Sequence, residues 1–135
     1  MIIGIPKEIK PQENRVGLTA NSVNSLVDEG HEVIIETNAG NGSGFQDSDY
    51  IESGGKIIDT AKEIFEYAEM IVKVKEPQSQ EVNLLKKGQN LFTYLHLAAD
   101  KKLTEGLINS GSTCIAYELS LIHISEPTRP SVISY

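Results

Sequence analysis

Short runs of β-branched residues alternate along this chain with segments whose apolar residues recur at helical spacing. That alternation constrains the fold more than any other feature. Ile2-Ile3-Gly4-Ile5, closed by Pro6, is a compact apolar run. Ala20, Val23 and Val27 then recur at helical spacing, with Thr19 placed to cap the helix and Gly30 to end it. Glu32-Val33-Ile34-Ile35-Glu36 is a strand by composition. Asp47 can cap a short helix through Tyr50 and Ile51 that stops at Gly54-Gly55.

The pattern repeats. Lys56-Ile57-Ile58 is a strand, and Thr60 with Glu63 has capping-box spacing ahead of a face made by Ala61, Ile64, Phe65 and Ala68. Met70-Ile71-Val72-Lys73-Val74 reads as a buried strand, Val82 and Leu85 mark a short helix, and Leu91-Phe92-Thr93-Tyr94-Leu95 is another strand. Asp100 caps a helix with Leu103, Leu107 and Ile108 inward, and Thr113-Cys114-Ile115-Ala116-Tyr117 follows Gly111. Strands alternating with helices predict a three-layer α/β domain, a mainly parallel sheet with helices on both faces, of Rossmann-like or flavodoxin-like type.

In such sheets ligand-binding groups collect in the loops beyond the carboxyl ends of the strands. Three residues take that position. Arg15 lies in the loop after the first strand and is the only arginine ahead of residue 119. Its planar fork suits a carboxylate bidentately, although simple exposure or pairing with Glu13 is the favoured reading of this residue taken alone. Lys75 directly follows Val74, where it can hold a carboxylate or polarise a carbonyl; a salt bridge to Glu76 is the alternative. His96 follows Leu95, and an imidazole there suits proton transfer near neutral pH, or is a hydrogen-bonded core histidine.

Charge excludes some partners. With a formal net charge of -7, the chain has no means of neutralising phosphates, so neither nucleic acid nor an anionic membrane surface is an expected partner. One cysteine, Cys114, cannot form a disulfide within the chain and reads as a small buried apolar residue. Met1-Ile2-Ile3-Gly4 is no secretory leader, and no apolar run approaches the length of a membrane span, so a cytoplasmic location is expected. His31, His96 and Cys114 are scattered, so no metal site is expected.

Gly40-Asn41-Gly42-Ser43-Gly44 follows a strand and matches the first two glycines of the dinucleotide fingerprint, but Phe45 stands where the third should be. A tight structural turn is the better reading. From residue 119 the chain changes character. Leu121-Ile122-His123-Ile124-Ser125-Glu126-Pro127-Thr128-Arg129-Pro130 resembles the conceptual translation of a sequencing adapter, and the two prolines preclude a regular helix or central strand. Residues 119–135 are therefore expected to be non-native, and His123 and Arg129 are given no role.

Several motifs in order carry a family resemblance. Ile3-Gly4-Ile5-Pro6-Lys7-Glu8-Ile9-Lys10, Glu13-Asn14-Arg15-Val16-Gly17-Leu18-Thr19, Ala39-Gly40-Asn41-Gly42-Ser43-Gly44-Phe45, Val74-Lys75-Glu76-Pro77 and Phe92-Thr93-Tyr94-Leu95-His96-Leu97-Ala98 resemble the amino-terminal domain of the alanine dehydrogenase and nicotinamide nucleotide transhydrogenase family. The resemblance runs from Met1 to about Glu118 and implies a substrate domain over residues 1–118. It implies NAD-dependent, reversible oxidative deamination of L-alanine to pyruvate and ammonium. Arg15 and Lys75 would bind the substrate, and Lys75 and His96 would act in catalysis, His96 as general acid/base. NAD would be bound by a separate domain, which this stretch lacks together with a further catalytic aspartate, so the piece alone is expected not to turn over. Family members are typically homohexamers. The transhydrogenase α subunit is the nearest alternative, but its members lack the Tyr-Leu-His run. A free-standing small-molecule binding module is the other alternative.

Overall fold

We describe residues 1–93, 101–116 and 132–134 of a computed structural model of the chain; residues 132–134 are described for their backbone alone. The first strand, β1 (Ile2–Ile5), is followed by α1 (Ala20–Asp28), β2 (Glu32–Glu36), α2 (Asp47–Glu52), β3 (Lys56–Ile58) and α3 (Ala61–Tyr67). Then come β4 (Met70–Val72), α4 (Ser79–Val82), β5 (Asn90–Thr93), α5 (Lys101–Ser110), β6 (Thr113–Ala116) and β7 (Val132–Ser134).

Among the described residues the strands form one sheet in the order β3-β2-β1-β4-β5-β6-β7. All neighbours from β3 to β6 pair parallel, and β7 pairs antiparallel on β6. The predicted α/β architecture is therefore present. The chain grows outward from β1 in one direction, then returns to the other side of it, so β1 and β4 flank the point where strand order reverses. In open α/β sheets that is where a crevice forms beyond the carboxyl ends.

Period-two burial assigns the two faces. Ile3, Ile5, Val33, Ile35 and Val72 pack under α1 and α2 with Val23 and Tyr50. Ile34, Ile71, Leu91 and Cys114 pack on the opposite side with Ile64 and Phe65 of α3 and Leu103 and Leu107 of α5. The strands are apolar on both faces because helices cover both. Caps fix the helix starts: Thr19 Oγ1 accepts the Ser22 N–H, and Thr60 Oγ1 accepts that of Glu63.

Three expectations need correction. The strand expected through Val74 ends at Val72, because the Glu8 carboxylate captures the N–H groups of Val74 and Lys75 and draws them out of the ladder. Gln46, not Asp47, is the N-cap of α2; the Asp47 carboxylate instead accepts Thr37 Oγ1 (2.6 Å) and the Asn38 N–H (2.9 Å), closing the β2–α2 loop. Ile108 is 51% exposed, since the inward stripe of α5 is the i, i+4 pair Leu103 and Leu107. Val132–Ser134, beyond Pro130, pairs on β6 as an edge strand, a position that nearby prolines permit. Tyr94, Leu95, His96, Asp100 and Tyr117 lie outside the described residues.

Candidate functional site

The β1–α1 loop, residues 6–19, has no glycine before Gly17, so its shape depends on anchors. The Tyr50 hydroxyl, on a side chain with no exposed surface, donates to Leu18 O at 2.8 Å. Ser43 Oγ donates to Asn14 O at 3.1 Å. Gly17 lies so close to the end of β4 that a Cβ would stand 2.6 Å from Val72 O. The loop is thus pressed between the end of β4 and the glycine-rich segment.

The glycine-rich segment is a tight turn, as expected. Asn41–Ser43 is a single 3-10 turn and Gly44 has φ of 83°. A Cβ on Gly42 would meet Asn14 O at 2.6 Å. The turn follows β2, whereas the dinucleotide fingerprint belongs to the loop after the central first strand. Gly42 packs against Asn14 of the Arg15 loop and Gly40 against Phe45 and Tyr50.

Between these loops lies a cleft of about 390 Å³, lined by Arg15, Val16, Gly17, Ser43, Phe45 and Lys73 among others. It opens at the switch point between β1 and β4. Arg15 stands at its rim. Its Nε and Nη2 donate to the two oxygens of Glu13 at 3.0 and 2.8 Å, a bidentate pair, and its own N–H also donates to Glu13. The Arg15 side chain is 64% exposed while that of Glu13 is 5% exposed. Hydrogen bonding from Arg15 outweighs burial and holds the Glu13 carboxyl down at about 2, with the charges of Arg15 and Lys75 acting in the same direction. The structure places Arg15 and Lys75, far apart in sequence, on loops that follow the adjacent strands β1 and β4.

Beneath this rim is a group that sequence reasoning missed. Lys73, 1% exposed, donates to Glu8 Oε1 at 3.0 Å and to Glu81 Oε2 at 3.0 Å, and both carboxylates are buried. Glu8 also accepts the N–H groups of Val74 (3.0 Å) and Lys75 (3.1 Å). Glu81 accepts the Gln78 N–H at 2.9 Å. Burial pushes the Glu81 carboxyl above its usual range despite Lys73. The one sequence signal was a lysine inside the apolar run Met70–Val74; nothing marked Glu8 or Glu81, whose proximity comes from topology alone. A second ion pair, Lys10 to Glu76, joins the same two loops. His96 lies outside the described residues. Among the described residues, no cluster of His, Cys, Asp and Glu gathers as metal ligands, and no helix is long and apolar enough to cross a membrane.

The profile of a family described as "Alanine dehydrogenase/PNT, N-terminal domain" matches residues 4–127. The chain is 52% identical over 118 residues to the alanine dehydrogenase of Halomonas elongata, covering 87% of this chain and 32% of that protein. It is 53% identical to the alanine dehydrogenase of Methanococcus maripaludis over the same shares, and 52% identical to that of Bacillus subtilis, there covering 31% of the relative. Among solved structures, an L-alanine dehydrogenase superposes with a TM-score of 0.85 at 56% identity, over 87% of this chain and 32% of that one. A transhydrogenase from Sinorhizobium meliloti superposes with a TM-score of 0.82 at 29% identity, over 88% of this chain and 34% of its own. The chain spans about a third of the length of the curated relatives it matches.

Proposed function

Because this chain belongs to the alanine dehydrogenase/PNT N-terminal domain family, we propose that residues 1–118 are the substrate domain of an NAD-dependent L-alanine dehydrogenase, interconverting L-alanine with pyruvate and ammonium. The observation that carries this reading is the cleft at the sheet's switch point, with Arg15 at its rim and Lys75 on the adjoining loop. A 2-oxo or 2-amino acid presents one carboxylate and, beside it, one oxygen or nitrogen that changes bonding. Arg15 holds the carboxylate through its fork, exchanging or sharing it with Glu13. Lys75 donates a hydrogen bond to the carbonyl oxygen and stabilises the charge that builds there. His96 takes up and returns the proton as the amine adds to the carbonyl and the hydroxyl leaves.

NAD, when bound, supplies the hydride acceptor. The glycine turn of this chain is packed against Asn14 and Phe45, so the dinucleotide belongs to the part of the full-length relatives that this chain does not span. On this reading the whole enzyme is cytoplasmic and homohexameric, residues 1–118 do not turn over alone, and residues 119–135 take no part in the site. The transhydrogenase reading rests on the second superposition, at lower identity than the first.

Grafting residues 1–118 in place of the matching segment of the Bacillus subtilis alanine dehydrogenase tests the proposal. The chimera should reduce NAD with L-alanine, and His96→Ala should reduce that rate at least about a hundredfold, the usual contribution of a positioned acid/base. A folded chimera that oxidises alanine equally well without His96 would contradict the assignment.

A further inference from the structure

The main chain of Lys75 is held from both sides by side chains rather than by the sheet. Its N–H donates to Glu8 Oε1 at 3.1 Å, and its carbonyl accepts Thr93 Oγ1 at 2.8 Å. The preceding Val74 N–H donates to the other Glu8 oxygen. Lys73 neutralises Glu8 and is itself tied to β5, its N–H donating to Phe92 O at 3.0 Å. Glu81 binds the same ammonium and, through the Gln78 N–H, the start of α4. One buried ammonium thereby joins the β1–α1 loop, the end of β4 and the first turn of α4.

Buried ion groups are poor sources of stability compared with apolar packing of the same volume. This one lies at the floor of the cleft, since Lys73 lines it. Its geometry restrains the backbone of Val74 and Lys75 where it leaves β4, beside β1, whose following loop carries Arg15. We infer that Glu8 is a positioning residue of the substrate cleft: with Lys73 as its counter-ion and Thr93 opposite, it fixes the Lys75 backbone so that the ammonium is delivered beside Arg15. The inference rests on the reading of Lys75 as a substrate-binding residue.

Glu8→Gln keeps the side-chain volume but leaves one acceptor oxygen for the donors Val74 N–H, Lys75 N–H and Lys73 Nζ, and turns an amide NH2 toward them. Thr93→Val removes the other clamp, and Thr93→Ser keeps it. The experiment is a pyruvate titration of the full 135-residue chain, followed by two-dimensional amide NMR, with each variant's melting temperature recorded alongside. Glu8→Gln and Thr93→Val should each weaken pyruvate binding about tenfold, the order expected for losing a hydrogen bond to a charged group. Thr93→Ser should restore the affinity. Glu8→Gln added to Lys75→Met should weaken binding no further than Lys75→Met alone, because residues acting through one another are not additive.

If Glu8→Gln does not fold, the Val and Ser variants of Thr93 decide the matter by themselves. Unchanged affinity in Glu8→Gln and Thr93→Val, with binding lost in Lys75→Met, overturns the positioning role and leaves the substrate site standing. Unchanged affinity in Lys75→Met, or no saturable binding by the wild-type chain, overturns the site reading and the inference together.

Discussion

Glu8 and Glu13 sit in the same β1–α1 loop, each accepting a cation and at least one main-chain N–H, yet they belong to different environments. Glu8 and its partner Lys73 are 2% and 1% exposed in their side chains. Glu13 is similarly covered, but its partner Arg15 is 64% exposed. The difference separates two tasks at one cleft. A buried ammonium held by two carboxylates cannot release either without leaving a charge stranded in low dielectric. An exposed guanidinium loses less on leaving its carboxylate than a buried ammonium does, because water solvates the arginine. The lower pair fixes backbone; on the proposed function the upper pair exchanges Glu13 for the substrate carboxylate.

The largest expected effect is at the buried pair. Lys73→Met removes the cation that binds both Glu8 and Glu81 and leaves two buried carboxylates without it. Denaturant unfolding should show a loss of about 3–5 kcal/mol, the range for breaking a buried ion pair from one side. A loss below about 1 kcal/mol, the level of surface pairs, would mean that the triad is solvated and the contrast with Arg15 is lost.

Next comes the contact that seats the loop. Gly17→Ala places a methyl 2.6 Å from Val72 O, a backbone atom that cannot step aside. The expected destabilisation is about 1–3 kcal/mol, typical of overpacking, with pyruvate affinity falling as well because Arg15 shifts with the loop. A thermal melt and a titration on the same sample check both, and an unperturbed melt would show that the loop does not bear on β4.

A smaller effect is the acid limb of the stability curve. Glu13 ionises at about 2 in the folded chain against 4.5 as a free side chain. Its folded-state value is depressed, so its contribution is fully present above about pH 4.5 and is lost as pH falls toward 2. Glu13→Gln should flatten that limb. An identical limb in the variant would show that the Arg15–Glu13 pair does not form in solution.

The architecture was legible in the sequence because its signals are local. Period-two runs and caps such as Thr19 and Thr60 depend on neighbours within a few residues, and both helices begin where those caps predict. Errors fell where distant residues decide. β4 stops at Val72 because of a carboxylate 66 positions from Val74, and Asp47 leaves its capping role for the loop it closes. The same holds for the site. Arg15 and Lys75 could be placed at strand ends from the alternation alone, but the order β2-β1-β4 that makes those ends neighbours is a property of the assembled sheet. Lys73 stood in view within an apolar run; its partners Glu8 and Glu81 carried no local mark.

The central claim is that the exposed end of the cleft takes a carboxylate while the buried end holds its frame. Pyruvate titration of Arg15→Ala beside the wild-type chain tests it most directly. Affinity should fall at least about tenfold, as for loss of a bidentate charged contact, while the stability loss stays well below that of Lys73→Met because the guanidinium is largely solvated. Unchanged affinity, or a stability loss as large as that of Lys73→Met, would contradict the account.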